Sequence, residues 1–290
     1  VDGGEGRRLT NNDVPEYGAS LSPDGDRVLF TADASADFDF YYDSNLFVVP
    51  AEGGEPRLLM EEETFGVDDA AWSGDGRHIY FSANTGARQE LFRVTVADGR
   101  LRRLTEGDHA VGDWSFRAGP GRHVFTLETP ENPGDVWSLP ADGGRRTRVT
   151  RVFEEVSETY RLPRQELIAY EGRDGTEVEG LLFYPLDYTE GRRYPLVVQT
   201  HGGPASSDQF GFGSSWDYPQ VLTAMGYVVF QPNYRGSTGY GDAFMRDMVG
   251  HYFNEAHRDV MAGVDHLIER GLVDGDRMAK MGWSAGGHMT

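Results

Sequence analysis

An internal repeat in the first half of the chain constrains the fold more than any other feature of the sequence. A turn followed by an apolar run occurs three times, over residues 22–30, 73–81 and 117–125. An apolar pair follows each turn, and the three pairs begin at positions 46, 91 and 136, which are 45 residues apart. A glycine-containing turn and a short Arg-Leu or Arg-Val ending then close each unit. Residues 1–150 therefore hold three full units, and the ending alone also occurs near residues 3–10.

A unit of this length with several short β-branched and aromatic strands and Asp-Gly turns is typical of a four-stranded propeller blade. The sequence thus predicts about three blades of a partial β-propeller, with an open β-sandwich as the alternative. Propellers close with four to eight blades. We therefore expect further blades to come from outside this stretch.

The pattern changes after residue 150. Residues 151–165 are polar and are interpreted as a linker, and the Asp174-Gly175 turn between two apolar runs predicts an antiparallel hairpin. Short buried strands at 195–200 and 227–231 then alternate with helices predicted at 216–225 and 255–270, which indicates a parallel sheet covered by helices. The predicted domains are 1–160, the last blades of the propeller with the linker, and 161–290, the first part of an α/β domain.

The chemistry-bearing motif is Gly-x-Ser-x-Gly at residues 282–286, placed after a predicted strand and before the start of a helix. This context is typical of the nucleophile elbow of α/β-hydrolases, in which a serine lies on a sharp turn between strand and helix. Ser284 is therefore the predicted nucleophile. The second motif, His-Gly-Gly-Pro at 201–204, follows a strand where such enzymes have a glycine-rich oxyanion loop. We assign the oxyanion donors to the N–H groups of Ala285 and Gly203, with Gly202 as the alternative to Gly203.

The loop at residues 233–241 is rich in glycine but matches neither the phosphate-binding loop of nucleotide hydrolases nor the dinucleotide fingerprint. We interpret it as a loop beside the active site, in which Arg235 and Tyr240 are candidate substrate contacts. A structural role is the alternative for both. The histidines that follow this loop form no metal-binding spacing, so we predict no metal and no cofactor; they are His251, His257, His266 and His288.

Composition excludes several other functions. The chain has no cysteine, which rules out disulfides, thiolate metal sites and a cysteine nucleophile. It has 47 acidic and 27 basic residues among 290, a formal net charge of −20, so binding through phosphate neutralisation is disfavoured and nucleic acid is not an expected partner. No stretch reaches the 18 to 20 consecutive apolar residues of a membrane helix. Localisation and oligomeric state stay open.

Taken together, the motifs at 201–204, 233–241 and 282–287 resemble those of the prolyl oligopeptidase family of serine peptidases, and in particular its acylaminoacyl-peptidase and dipeptidyl-peptidase-like members. The resemblance implies a β-propeller followed by an α/β-hydrolase domain. It also implies cleavage of short peptides by an acyl-enzyme route, with the propeller restricting entry.

The resemblance also raises an expectation about the ends of the sequence. α/β-Hydrolases place their triad in the order serine, acid, histidine, so we expect the acid and the histidine beyond Thr290. On this interpretation the 290 residues are an internal fragment that is inactive by itself. Two alternatives stay open for the parent protein: a carboxylesterase of the same fold, and a binding protein that uses the propeller without catalysis.

Overall fold

Each repeat folds into four antiparallel strands in chain order. A computed structural model describes residues 6–33, 43–60, 65–203, 205–213 and 218–290. The first unit contains β1 (Glu16–Leu21), β2 (Arg27–Asp33), β3 (Ser44–Pro50) and β4 (Arg57–Leu58); the second contains β5 (Val67–Trp72), β6 (His78–Asn84), β7 (Gln89–Thr95) and β8 (Leu101–Arg103); the third contains β9 (Ala110–Arg117), β10 (Arg122–Thr129), β11 (Asn132–Pro140) and β12 (Thr147–Arg148). Part of the incomplete ending at residues 3–10 lies outside the described residues.

The repeated turn has the same hydrogen bonds in the first two units. Ser22 Oγ lies 2.5 Å from Asp24 Oδ1 and accepts from the Arg27 amide at 3.0 Å. Ser73 Oγ likewise lies 2.7 Å from Asp75 Oδ1 and accepts from the His78 amide at 2.9 Å. All of these hydrogen bonds join residues that are close in the sequence, so the Ser-x-Asp-Gly pattern is sufficient to form the turn. The repeat could therefore be recognised from the sequence alone.

The apolar residues of the repeats pack between neighbouring units. Three rings, Phe65, Phe81 and Phe92, stack with centroids 4.9 to 6.4 Å apart in a buried cluster shared by the first two units. A single parallel bridge between Gln89 and Ala110 joins the second unit to the third. The units are therefore held together mainly by side-chain packing between their faces.

The second half forms a five-stranded sheet in the order β13-β14-β16-β15-β17. Its strands are β13 (Gln165–Glu171), β14 (Glu177–Phe183), β15 (Tyr194–Thr200), β16 (Val228–Asn233) and β17 (Val273–Gly282). The helices of this half of the chain are α1 (Glu154–Thr159), α2 (Pro219–Ala224), α3 (Asp242–Arg246), α4 (Asn254–Glu269) and α5 (Ala285–His288).

Most of the predicted elements of this half are confirmed. β13 and β14 form the antiparallel hairpin, and β15, β16 and β17 are parallel. α4 buries one apolar face that includes Val260, Val264 and Leu267, and it is followed by Gly271 at φ 70°. The helix predicted from Trp216 begins only at Pro219 in the described residues, and Trp216 itself lies outside them. The polar linker contains a short helix, α1, which the sequence did not predict.

The start of β17 is irregular. The strand begins at Val273 and includes the polar segment 274–276, in which the Asp276 amide donates to Asp274 Oδ1 at 3.1 Å. Val273 pairs with Tyr194 and Met278 with Leu196, so the residues between Val273 and Met278 form a bulge opposite a single residue of β15. β17 is the last strand of the sheet, and β15 is its only partner among the described residues.

Candidate active site

The serine of the Gly-x-Ser-x-Gly motif lies on the turn between β17 and α5. Ser284 has φ 51° and ψ −116°, a backbone conformation that is unusual for a residue with a side chain and costs on the order of 1–3 kcal/mol. The residue is exposed, and its hydroxyl does not cap the helix that follows. No side chain among the described residues forms a hydrogen bond with this hydroxyl.

The motif glycines allow this turn because neither position has room for a Cβ atom. A Cβ on Gly286 would lie 2.6 Å from the carbonyl carbon of Thr200 and closer still to its oxygen. A Cβ on Gly282 would lie 2.6 Å from Thr200 Oγ1. Thr200 Oγ1 also donates to Gly286 O at 3.0 Å. The end of β15 and the turn at Ser284 are thus packed backbone against backbone.

The 201–203 segment lies directly against the serine. A Cβ on Gly202 would lie 3.1 Å from Ser284 Cβ and 2.8 Å from Trp283 O, so only glycine allows the two segments to approach this closely. Gly203 has φ 127°, a conformation that also favours glycine. Pro204 of the same motif lies outside the described residues. The structure therefore brings together the two sequence motifs on which the hydrolytic interpretation depends.

The two amides assigned to the oxyanion hole have no competing partner. The N–H groups of Gly203 and Ala285 donate to no acceptor in the part of the chain that the structure describes. By contrast, the next amide of α5, that of Gly286, donates to Trp283 O at 2.9 Å. In serine hydrolases, unpaired N–H groups near the nucleophile are what the oxyanion of a tetrahedral intermediate requires.

Arg235 occupies a different environment from the one expected of a substrate contact. Its guanidinium is buried and forms two hydrogen bonds with Asp259, at 2.9 and 2.7 Å, and a third with Asp174 at 2.6 Å. The bond to Arg235 lowers the pKa of the Asp174 carboxyl to about 2. Because its donors are already committed to carboxylates, the geometry favours a structural role for Arg235.

Tyr240 is also engaged within the protein. Its hydroxyl accepts from Asn233 Nδ2 at 3.0 Å and donates to Glu179 Oε2 at 3.1 Å, and burial raises its pKa. Its ring packs against Gly86 of the second repeat, where a Cβ would lie 2.8 Å from Tyr240 Cζ. The geometry places Tyr240 in the contact between the repeats and the sheet domain.

Sequence reasoning missed the contacts between the repeats and residues 205–213, the segment that follows the His-Gly-Gly-Pro motif. Glu128 of β10 accepts from the Phe212 amide at 2.5 Å, and burial raises the pKa of this carboxyl. The Phe210 amide donates to Ala87 O at 2.9 Å, and Ser207 Oγ lies 3.2 Å from Asn84 Oδ1. No local pattern marks Glu128, since its partners are backbone groups far along the chain.

The described residues contain no group of three or more histidine, aspartate or glutamate side chains placed to hold a metal ion. Within the same residues, no helix has the length and apolar character needed to cross a membrane.

A serine held in a strained turn between a parallel strand and a helix, beside free amides, has the geometry of a nucleophile elbow in the α/β-hydrolase class. Residues 214–290 match the sequence profile of the prolyl oligopeptidase family. The chain is 28% identical over 277 residues to dipeptidyl-peptidase 5 of Porphyromonas gingivalis, covering 92% of this chain and 38% of that protein. It is 32% identical over 234 residues to the acylamino-acid-releasing enzyme of Sus scrofa, covering 76% of this chain and 31% of that protein. The resemblance to this family of serine peptidases is thereby confirmed.

Solved structures agree at the level of the fold. The acylaminoacyl peptidase of Pyrococcus horikoshii superposes with a TM-score of 0.77 at 21% identity, covering 92% of this chain and 41% of that one. A puromycin-hydrolysing peptidase of Mycobacterium tuberculosis superposes with a TM-score of 0.74 at 24% identity, covering 95% of this chain and 42% of that one. The chain spans between about a third and two fifths of the length of the relatives that it matches.

Proposed function

We propose that the protein containing this chain is a serine peptidase that hydrolyses short peptides through an acyl-enzyme on Ser284. The observation that carries the proposal is the strained, exposed serine beside the free N–H groups of Gly203 and Ala285. Peptidase relatives support the reaction class, and their names, dipeptidyl-peptidase and acylamino-acid-releasing enzyme, support short peptide units as the substrate.

In the proposed reaction, Ser284 Oγ attacks the peptide carbonyl carbon while a general base takes its proton. The carbonyl oxygen becomes an oxyanion that accepts hydrogen bonds from the Gly203 and Ala285 amides. The amine leaves with a proton, and water then attacks the acyl-enzyme to release the second product and regenerate the hydroxyl. Loss of one oxyanion donor typically costs about a hundred- to a thousandfold in rate.

We further propose that the general base and its orienting acid belong to sequence outside these 290 residues. None of the described imidazoles forms a hydrogen bond with Ser284 Oγ. The triad order of this fold places both residues after the nucleophile. The 290-residue chain made alone is then expected to show no hydrolysis of an aminoacyl p-nitroanilide, and turnover by that chain would contradict this part of the proposal.

The proposed domain division is residues 1–160, three blades of a β-propeller with a linker, and residues 161–290, the first part of the hydrolase domain. The repeated four-stranded units and the five-stranded sheet support it. In this proposal the propeller limits access to Ser284 to short peptides.

The test is covalent labelling of the full-length protein by a fluorophosphonate, together with hydrolysis of peptide and ester panels. Ser284→Ala is expected to abolish labelling and to lower kcat at least about a thousandfold, because the nucleophile is lost. Ser157→Ala is the matched control, since Ser157 is exposed on α1, and it should label and hydrolyse normally. A protein that hydrolyses the esters but none of the peptides would be a carboxylesterase instead of a peptidase. Labelling that persists in Ser284→Ala would show that Ser284 is not the nucleophile.

A further inference from the structure

A groove between the outer edges of the second and third units is lined by several arginines. It has a volume of about 480 Å³, and the buried residues Leu104, Thr105 and Leu139 form part of its lining. Its charged residues are one carboxylate and four guanidinium groups: Glu106, and Arg102, Arg103, Arg145 and Arg146. We refer to this space as the arginine groove. In a chain with a formal net charge of −20, it is a local excess of positive charge.

The arginines of this groove have no carboxylate partners. In the part of the chain that the structure describes, none of the four forms an ion pair or donates a side-chain hydrogen bond. Arginines on neighbouring strands do have such partners. Arg93 of β7 pairs with Asp142 at 2.7 Å, and Arg148 of β12 pairs with Asp135 at 2.5 Å. The donors of the arginine groove are therefore available to a ligand, whereas those of its neighbours are already used.

Two of the four guanidinium groups are held in place by aromatic rings. Arg103 lies over Phe92 with its Cζ atom 5.6 Å from the ring centroid. Arg146 lies over Trp137 at 5.5 Å. A guanidinium that stacks on a ring keeps its N–H groups for other partners, and less side-chain freedom is lost when it binds an anion. Part of the groove is thus already ordered without a ligand.

The repeat provides an internal comparison for this cluster. The strand register shows that positions 45 residues apart occupy the same place in successive units. At the boundary between the first two units, Leu58 takes the place of Arg103. Leu101 takes the place of Arg146 there. Arg57, which is retained at that boundary, donates to a backbone carbonyl. The four unpaired arginines are therefore a feature of one boundary and do not follow from the repeat itself.

The chemistry of the groove favours a compact anion with several charges. Guanidinium groups stay charged and donate in pairs to the oxygens of carboxylates and phosphates. A phosphate group carries more negative charge than a carboxylate of similar size, so several phosphates best match four guanidinium groups in a small space. The volume lies in the range of small-molecule sites, about 300–1,000 Å³. An extended polyanion such as nucleic acid would also meet the acidic surface of the rest of the chain, whereas a compact one would contact only the groove.

We propose that the arginine groove is a binding site for a compact, multiply charged phosphate anion. The anion binds through charge-assisted hydrogen bonds from the four guanidinium groups, and no covalent bond is made or broken. This inference is independent of the proposed hydrolysis at Ser284. The failure of one would leave the other unchanged, because the test below measures binding and not turnover.

The test is calorimetric titration of the full-length protein with inorganic triphosphate, in magnesium-free buffer with about 0.15 M NaCl. We expect a Kd below about 1 mM. The double variant Arg102→Gln/Arg145→Gln removes two exposed guanidinium groups that pack on no ring, and it should raise the Kd at least about tenfold. The matched control is Arg173→Gln/Arg193→Gln, which makes the same change of charge at exposed positions of the sheet domain. Its Kd should stay within about twofold of the original.

The source of the phosphate is distinguished by a parallel titration with ATP. Equal Kd values for ATP and triphosphate would support recognition of the phosphate chain alone, and tighter binding of ATP would support a nucleoside phosphate. Absence of binding by both compounds at about 1 mM, or an equal rise of Kd in both double variants, would overturn the proposal. An oligomer that sedimentation detects and that Arg102→Gln/Arg145→Gln dissociates would place a second copy of the chain in the groove and would also overturn it. Melting temperatures of both double variants control for folding.

Discussion

Ser284 shows how a strained residue is maintained by the groups around it. Its positive φ would be relieved if the turn could open, but the Gly286 backbone is packed on the end of β15 and bonded by Thr200 Oγ1. The Gly-x-Ser-x-Gly spacing made this residue predictable, because the glycines are required by the local approach of backbone to backbone.

At this scale we predict that Gly286→Ala disrupts the elbow. The new methyl group would overlap the carbonyl groups of Thr200 and His201, so the turn has to move, and we expect a loss of at least about 1–3 kcal/mol in the free energy of unfolding together with loss of fluorophosphonate labelling. Gly119→Ala is the matched control, since a Cβ there meets nothing within 4 Å. Urea unfolding and labelling measure the two effects, and a Gly286→Ala protein that labels normally would contradict this account.

Arg235 shows why other residues of the site region were not predictable. Its carboxylate partners, Asp259 and Asp174, are 24 and 61 positions away along the chain. A sequence motif identifies the arginine, but it does not show which carboxylates the fold places beside it. A substrate contact and a structural ion pair therefore could not be distinguished from the sequence.

Several elements meet at the Arg235 guanidinium. It connects the β13–β14 turn, which carries Asp174, with α4, which carries Asp259, and with the loop that leads from β16 to α3. The hairpin, the strands and α4 were each predictable from periodicity and turn residues. Their mutual attachment depends on buried charge, for which periodicity gives no signal.

At the scale of elements we predict that Asp259→Asn destabilises the sheet domain strongly. Asp259 is fully buried and accepts three hydrogen bonds from Arg235. Asn replaces one of the two acceptor oxygens with an amide donor that faces the guanidinium, and we expect a loss of about 1–3 kcal/mol although other carboxylates still lie near Arg235. Asp174→Asn is the matched control: its side chain is 47% exposed, so its pair with Arg235 is screened by solvent and the loss should stay below about 1 kcal/mol. Equal urea midpoints for Asp259→Asn and Asp174→Asn would contradict the predicted difference between the buried and the exposed carboxylate.

Carboxylates from both halves of the molecule meet where the repeats contact the sheet domain. Asp43, immediately before β3 of the first repeat, donates its backbone amide to Asp242 Oδ1 of α3 at 2.8 Å. Burial, followed by repulsion from Asp242 and Asp68, raises the pKa of Asp43 to about 7. The excess of acidic residues was plain in the sequence, but which of them would face one another across the contact depends on the tertiary fold.

At the scale of the whole molecule we predict that Asp43→Asn stabilises the protein at alkaline pH. The folded-state pKa of Asp43 lies above its usual 3.8, so the folded protein binds this proton more tightly, and stability is lost as the pH rises from about 4 through about 7. Asn removes this loss, and the melting temperature of the variant should exceed that of the original protein at pH 8 but not at pH 4. Asp265→Asn, at an exposed position of α4, should show no such pH-dependent difference.

The pairing of β17 has a consequence for the serine that follows it. The last five residues of this strand, Met278–Gly282, are in register with Leu196–Thr200 of β15. Ser284 and the 201–203 segment therefore leave two neighbouring parallel strands at the same edge of the sheet. A slip of one residue in this strand pair would displace the two motifs from each other by about 3.3 Å, so the sheet itself sets the distance between them.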